Sequence, residues 1–327
     1  MPALCGQNSA AIVRVMNSLH VRTPLWESRP LSAALGSRVY LKLEALQPTG
    51  SFKIRGVGRA CQLSRAEGAR KLVASSGGNA GYAVAYAGRR LGLPVTVVLP
   101  ETTSPLMQGR VEAEGATVIQ HGSAWDDSHS FALALAHKES AAYIHPFDDP
   151  RLWEGHATLI EEIREDGVRP DIVVVAVGGG GLLCGVLQGL HQVGWQDVPV
   201  CTVETEGAAS FARSVEVGEL ITLERLTSVA TSLGARRVSS RALAWTDSHD
   251  IHTCKVSDAA AVRGVLRFAD DHRLLVEPAC GAALSVAYDR AEALAGRKTV
   301  LIVLCGGAGV TQELLVKWSL ELGLGKH

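Results

Sequence analysis

Three short apolar runs in this 327-residue chain end in small-residue loops, and each loop opens a helical pattern. Lys71-Leu72-Val73-Ala74 breaks into Ser75-Ser76-Gly77-Gly78-Asn79-Ala80-Gly81 before an Ala-rich helix to Leu91. Ile172 to Val177 ends in Gly178-Gly179-Gly180-Gly181 before a helix through Leu190. Val300-Leu301-Ile302-Val303-Leu304 ends in Cys305-Gly306-Gly307-Ala308-Gly309 before a last helix through Trp318. Strand, loop, helix repeated in this way predicts parallel strands joined by crossover helices. Continuous rather than alternating apolar runs are expected where a parallel sheet is covered on both faces.

The intervening segments keep the rhythm. Val39 to Glu44 alternates as a half-buried strand does, Pro94 to Leu99 is a strand ended by Pro100, and Ala116 to Ile119 is another. Helical patterns fall near 105–114 and over Ala124–Lys138. His145-Pro146-Phe147-Asp148-Asp149-Pro150 reads as a junction, with a helix near 152–165 after it. Val200 to Glu204 is a strand, and helical patterns run from Gly207, over Asp258–Asp271 and over Gly281–Leu294. Thr23-Pro24-Leu25 reads as a loop and 220–250 as loops. Residues 1–20 have weak patterning and read as an arm or a helix. In open α/β sheets ligands bind at the carboxyl ends of strands, so the three loops are expected to converge on one cleft between two domains.

Lysine plus arginine is 32 and aspartate plus glutamate 33, a net charge of −1. That balance argues against nucleic acid or an anionic membrane as partner. The seven cysteines are scattered, with no C-x-x-C pair and no zinc spacing, which reads as reduced thiols in a cytoplasm. The start lacks a signal-peptide pattern, and no apolar run is long enough to span a membrane.

One stretch carries chemistry of its own. Pro48-Thr49-Gly50-Ser51 is a turn signal leading into Phe52-Lys53-Ile54-Arg55-Gly56, with Ser51 read as the N-cap. Lys53 then lies in the first helical turn, where the helix dipole disfavours a cation. Field and burial together favour the neutral, nucleophilic amine. The bland alternative is a surface lysine snorkelling from a helix start. Four glycines before a helix offer unhindered N–H groups to a phosphate; the alternative is a tight turn without ligand. Neither a P-loop nor a dinucleotide fingerprint fits, because no Gly-Lys-Ser/Thr follows and Cys184 stands where a third glycine is needed. The loop 75–79 suits a carboxylate, with Asn79 either a donor to a phenolic oxygen or a helix cap. Cys305 is either a small buried residue or a thiol facing a ring nitrogen. A nucleophilic lysine, a phosphate cup and a carboxylate cup together describe pyridoxal phosphate (PLP) with an amino-acid substrate.

The motifs S-F-K-I-R-G, S-S-G-G-N-A-G, V-G-G-G-G-L and L-C-G-G resemble those of fold-type II PLP enzymes. So do P-F-D-D-P-R-L-W-E-G-H-A, T-S-V-A-T-S-L-G-A and L-V-E-P-A-C-G-A-A-L. Within that group the chain is similar to the catabolic L-serine/L-threonine dehydratases, including the serine dehydratase-like proteins, from about residue 20 to about 310. The resemblance implies a tryptophan synthase β-like α/β fold with two open, twisted, mainly parallel sheets flanked by helices. It implies a large PLP-binding domain at 1–46 and 147–327, a small domain at 47–146, and the cofactor in the cleft between them. Lys53 would form the imine with PLP and act as base. Phe52 would stack on one ring face with Ser232 near the other, and Asn79 would bond the ring hydroxyl. Gly178, Gly179, Gly180 and Gly181, with Leu182, would hold the phosphate, and Cys305 would face the pyridine nitrogen. Ser76, Gly77 and Asn79 would bind the substrate carboxylate. Glu204, Ala208 and Ser210 match the family's monovalent-cation loop, typically filled by potassium.

The implied reaction is β-elimination of L-serine to pyruvate and ammonia, and of L-threonine to 2-oxobutanoate, by a cytoplasmic homodimer. The rivals are a cysteine or cystathionine synthase, a serine racemase, and a PLP- or amino-acid-binding relative without turnover. Position 77 is glycine where some serine dehydratases carry alanine; the serine dehydratase-like proteins share the glycine. Position 232 is serine where others carry alanine. The glycine implies slower turnover or a different amino-acid preference, and the serine an altered packing against the ring.

Overall fold

The computed structural model describes residues 18–325; the arm or helix expected at 1–20 falls largely outside them. The chain clusters into two compact units, residues 18–21 with Lys53–Gly155, and Arg22–Phe52 with residues 156–325. The boundaries read from the sequence, at 46/47 and 146/147, come a few residues earlier in the chain.

The unit holding Lys53 is built on a four-stranded parallel sheet. Its strands are β3 (Leu72–Ala74), β4 (Val95–Leu99), β5 (Thr117–Gln120) and β6 (Ala142–Ile144), in the order β5-β4-β3-β6. β3 and β4 are buried along their whole length, as a sheet covered on both faces requires. Helices Lys53–Ala66 and Asn79–Leu91 cover one side, Ile54, Val57 and Ala60 of the first and Ala83, Val84 and Ala87 of the second packing with Leu72, Val95, Val97, Leu99 and Ile144. Helix Trp125–Lys138 packs its Ala132 and Ala136 on Val73 and Val98. The chain runs outward from β3 to β4 to β5, then crosses back to lay β6 on the other side of β3. The reversal makes a switch point between β3 and β6. Their outgoing loops, 75–78 and 145–149, flank it.

The other unit carries a six-stranded sheet, here numbered by chain position: β1 (Leu25–Glu27), β2 (Arg38–Lys42), β7 (Ile172–Ala176), β8 (Val200–Thr205), β9 (Ile251–Val256) and β10 (Thr299–Val303). The order is β1-β2-β10-β7-β8-β9, parallel except for β1. β7, β8 and β10 are buried at every residue. The chain goes one way from β7 to β8 and β9, and returns to set β10 on the other side of β7. A second switch point therefore lies between β7 and β10, with the loops 177–180 and 304–309 at it.

Several details depart from the sequence reading. Leu25 is not in a loop but starts β1, an antiparallel edge strand whose carbonyl and amide groups pair with β2 at Tyr40, Leu41 and Lys42. Ser51 does not cap the helix. It bridges to Gly306, its hydroxyl is buried without a hydrogen-bond partner, and the helix begins two residues later at Lys53. The helical pattern at 281–294 is a helix over Pro278–Tyr288 followed by a separate 3-10 turn at Glu292–Leu294. Asn79 is the first residue of its helix rather than the cap, which is Gly78. Among the described residues, no helix is long and apolar enough to cross a membrane.

Candidate active site

Lys53 opens its helix half-buried, and its Nζ donates to the carbonyl of Pro146 at 2.7 Å. That carbonyl belongs to the turn leaving β6, so the amine sits at the first switch point. The turn is stiffened from within. His145 Nδ1 accepts the backbone N–H of Phe147 at 3.2 Å and of Asp148 at 2.7 Å. With Nδ1 an acceptor, the ring proton is on Nε2. Burial, helped by electrostatic contributions from His129 and Lys53, pushes the His145 imidazole down to about 4, so it is neutral at physiological pH. Trp153 Nε1 donates to the Phe147 carbonyl at 2.9 Å, and Arg151 forks onto Asp149 and reaches Ser64 Oγ.

The loop leaving β3 lies across the switch point. Ser75 is buried, and its hydroxyl is shared with Tyr143, whose OH also meets His129 Nδ1 at 2.7 Å. Trp125 Nε1 donates to the Ser75 carbonyl. Ser75 therefore anchors the loop and does not present its hydroxyl outward. Ser76, Gly77, Gly78 and Asn79 are partly exposed, and Ser76 Oγ accepts the Gly78 N–H at 3.3 Å. Burial holds His129 below its usual value and pushes Tyr143 up to about 12, so this network is neutral around pH 7. A methyl group added at Gly77 would stand 2.0 Å from Thr103 Oγ1 and 2.8 Å from its Cγ2. Thr103 thus fills the space that an alanine at position 77 needs.

In the other unit, the glycine loop follows β7 directly. Gly180 has φ +89°, in the left-handed region, and caps the helix Gly181–Gln192 without any side-chain hydrogen bond. A Cβ there would lie 2.6 Å from Ala242 Cβ and 2.9 Å from Val238 Cγ2. At Gly178 it would lie 3.1 Å from Leu233 Cα and 3.2 Å from the Ser232 carbonyl. The segment 230–242 thus closes on the glycines, and it brings the backbone of Ser232 against Gly178; Ser239 N also donates to the Gly179 carbonyl at 3.1 Å. Leu182 is buried in the first turn of the following helix.

Cys305 is the second residue after β10 and is buried. Phe52 is tied to it, the Phe52 N–H donating to the Cys305 carbonyl at 2.9 Å, and Gly307 N donates to the Gly50 carbonyl at 2.9 Å. The Phe52 ring meets His156 edge-on at 4.8 Å between centroids. Glu204 is buried near the end of β8, and its two carboxylate oxygens accept the Phe211 and Ala212 amides at 2.9 and 2.7 Å. Burial pushes the Glu204 carboxyl up to about 7 against those two bonds. Ala208 is buried, and Ser210 Oγ is buried with no hydrogen-bond partner.

The residues fit a phosphorylated aldehyde cofactor. The cradle at Gly178 and Gly180 is one that any side chain would fill, and it stands at a helix N-terminus that lacks a side-chain cap. Ahead of Lys53, the hydroxyls of Thr49 and Ser51 are buried without partners. The sequence reading did not find the surroundings of Lys53 and Ser75: Trp125, His129, Tyr143 and His145. Their rings form one cluster, with Trp125 stacked on His129 at 4.6 Å and His129 edge-on to His145 at 5.4 Å. Only His145 stood in a stretch singled out from the sequence, the junction 145–150; Trp125 and His129 sit in an ordinary helical pattern, and Tyr143 in a strand too short to be read.

Two doubly wound, mainly parallel sheets, one with a lysine amine at its switch point and the other with a glycine cradle at its own, define the chain as an α/β enzyme. Residues 17–306 match the family described as pyridoxal-phosphate dependent enzyme, and the chain belongs to that family. It is 45% identical to the L-serine dehydratase/L-threonine deaminase of Mus musculus, covering 94% of this chain and 97% of that protein. It is 47% identical to a serine dehydratase-like protein of Mus musculus, covering 93% and 95% respectively. Among solved structures, a fungal L-serine ammonia-lyase from Rhizomucor miehei superposes with a TM-score of 0.89 at 35% identity, over 94% of this chain and all of that one.

Proposed function

We propose that this chain is an L-serine/L-threonine ammonia-lyase, eliminating water from L-serine to give pyruvate and ammonia, and from L-threonine to give 2-oxobutanoate. The observation that carries the substrate choice is the end-to-end likeness to relatives bearing the serine dehydratase name. Bound PLP supplies the aldehyde that captures the amino group and the ring that withdraws electrons from the substrate's α-carbon.

Each residue has a role that its surroundings support. Lys53 is the covalent anchor and, once free, the base that takes the α-proton. Its bond to the Pro146 carbonyl holds the amine at a fixed point. Gly178, Gly179, Gly180, Gly181 and Leu182 hold the phosphate with backbone N–H groups. Ser76, Gly77 and Asn79 hold the substrate carboxylate, on a loop whose root is fixed by Ser75, Tyr143 and Trp125. Asn79 also bonds the ring hydroxyl, Phe52 and Ser232 pack on the ring faces, and Cys305 meets the pyridine nitrogen. A potassium ion binds at Glu204, Ala208 and Ser210. The partnerless Ser210 hydroxyl and the buried Glu204 carboxylate support an oxygen-rich cation site. The unit containing the glycine cradle is the larger, PLP-binding domain and the unit containing Lys53 the smaller one. The scattered thiols support a reducing, cytoplasmic setting, and the working form is a homodimer.

The test is a product assay on the purified protein with PLP and KCl. Pyruvate and ammonia from L-serine in equal amounts support the reading. A product that appears only with sulfide points to a cysteine synthase, D-serine to a racemase, and amino-acid binding without product to a non-catalytic relative.

A further inference from the structure

Behind Cys305 lies a second buried thiol. Cys280 sits in the first turn of the helix Pro278–Tyr288, and its Sγ is 3.5 Å from Cys305 Sγ. Cys280 also makes a reciprocal pair with one peptide unit. Its Sγ lies 3.1 Å from the Gly306 carbonyl oxygen, and the Gly306 N–H points back at the sulfur from 3.2 Å.

A thiol has one proton to give. The Gly306 carbonyl oxygen takes the Cys280 S–H, and the Gly306 N–H then uses the sulfur as acceptor. Cys280 has no second proton for Cys305. In the contact between the two sulfurs, Cys305 is therefore the donor. The backbone around them is fixed from both sides, since Phe52 N donates to the Cys305 carbonyl at 2.9 Å and Glu277 N to the Gly306 carbonyl at 3.0 Å. The hydrogen bond with Cys280, then burial and the neighbouring Glu277, push the Cys305 thiol well up, so the proton stays on it.

We propose that Cys280 is a positioning residue for Cys305: it accepts the Cys305 S–H and keeps that proton inside the protein's own hydrogen-bond network. The consequence rests on the reading above that Cys305 faces the pyridine nitrogen. A thiol already committed to Cys280 does not donate to that nitrogen, which stays unprotonated and draws less charge from the α-carbon. The balance then favours expulsion of the β-hydroxyl over proton return to the cofactor carbon, the step that leads to transamination.

The S–H stretching band in the Raman spectrum reads the donor directly, with or without cofactor. On the full-length chain, the spectrum minus that of Cys305→Ala isolates the Cys305 band. A hydrogen-bonded, low-wavenumber band is expected. Cys280→Ala should move it to higher wavenumber, and Cys280→Ser, which keeps an acceptor, should leave it low. A band already at the free-thiol position, or one unmoved by Cys280→Ala, overturns the proposal whatever the cofactor does. In the loaded enzyme, Cys280→Ala should raise the ratio of transamination to elimination several-fold, with Cys280→Ser restoring it. A Raman shift with an unchanged ratio overturns the catalytic consequence. If the protein takes up no PLP, the Raman result still decides the thiol contact, and it is the assignment of Cys305 to the ring that fails.

Discussion

The loops at the two switch points solve different problems with different chemistry. Around Lys53 the work is done by side chains: an amine on the Pro146 carbonyl, a Ser75–Tyr143–His129 network, and His145 closing its own turn. Around Gly178–Gly181 it is done by backbone and by the absence of side chains, with Gly180 at φ +89° and the segment 230–242 filling the space that a Cβ at Gly178 or Gly180 would occupy. A region that acts through side chains loses chemistry when one is removed. A region that acts through shape loses its ligand, and its stability, when one is added.

The sharpest break of this contrast is Lys53→Ala. It should lower pyruvate formation by at least about 10³-fold, the scale on which a nucleophile and general base act, while thermal unfolding moves little. Steady-state assay beside calorimetry checks both halves. Next is Gly180→Ala, where the expected loss is the reverse in kind. A left-handed non-glycine residue costs about 1–2 kcal/mol, and the clash with Ala242 and Val238 adds overpacking of roughly 1–3 kcal/mol. The melting point and the PLP dissociation constant should both suffer, and activity should recover in part at high PLP.

Gly77 tests whether shape also matters in the unit that works through side chains. Gly77→Ala alone should raise KM for L-serine about tenfold, since an overpacked contact costs on the order of 1–3 kcal/mol and the obstruction is the β-branched Thr103. Thr103→Ala in the same chain should reverse most of that loss, a coupling a double-mutant cycle measures. Additive effects would show that Thr103 is not what excludes the methyl group.

The smallest effect is a pH dependence in the glycine-cradle unit. Glu204 is raised from 4.5 to about 7 by burial, so the folded state holds a proton that the unfolded state has released. Stability from this group is therefore greatest below about pH 4.5 and falls as pH rises to about 7, by at most about 3 kcal/mol. A cation beside the carboxylate offsets that fall. Melting curves from pH 5 to 8 should diverge between KCl and tetramethylammonium chloride, most at the high end, and Glu204→Gln should remove the divergence. Superimposable curves in the two salts would speak against the cation site.

The sequence showed the buried strands best. Residues 172–177 and 300–304 are continuous apolar runs leading into glycine loops, the pattern of a doubly covered parallel strand. β6 and β9 escaped notice. Ala142–Ile144 is three residues long, too short for a period to register, and Ile251–Val256 is an edge strand, half-buried except at the exposed Lys255, with polar residues also at His252 and Thr253. The missing β6 had the larger consequence. Tyr143 lies on it and His145 and Pro146 leave it, so the ring cluster around Lys53 was invisible. Those residues are 14 to 93 positions from their partners, and only the strand order β5-β4-β3-β6 brings them together. Ser51 misled for a local reason. A serine before a helix reads as a cap, but here its backbone is taken by the bridge to Gly306.

The central claim is tested most directly by the visible absorption spectrum of the PLP-loaded protein as L-serine is added, with pyruvate measured in the same cuvette. The account predicts a cofactor band that changes at once with L-serine, recovers as pyruvate accumulates, and is absent in its lysine-bound form from Lys53→Ala. A loaded protein whose band ignores L-serine and L-threonine, with no keto acid formed, would contradict it.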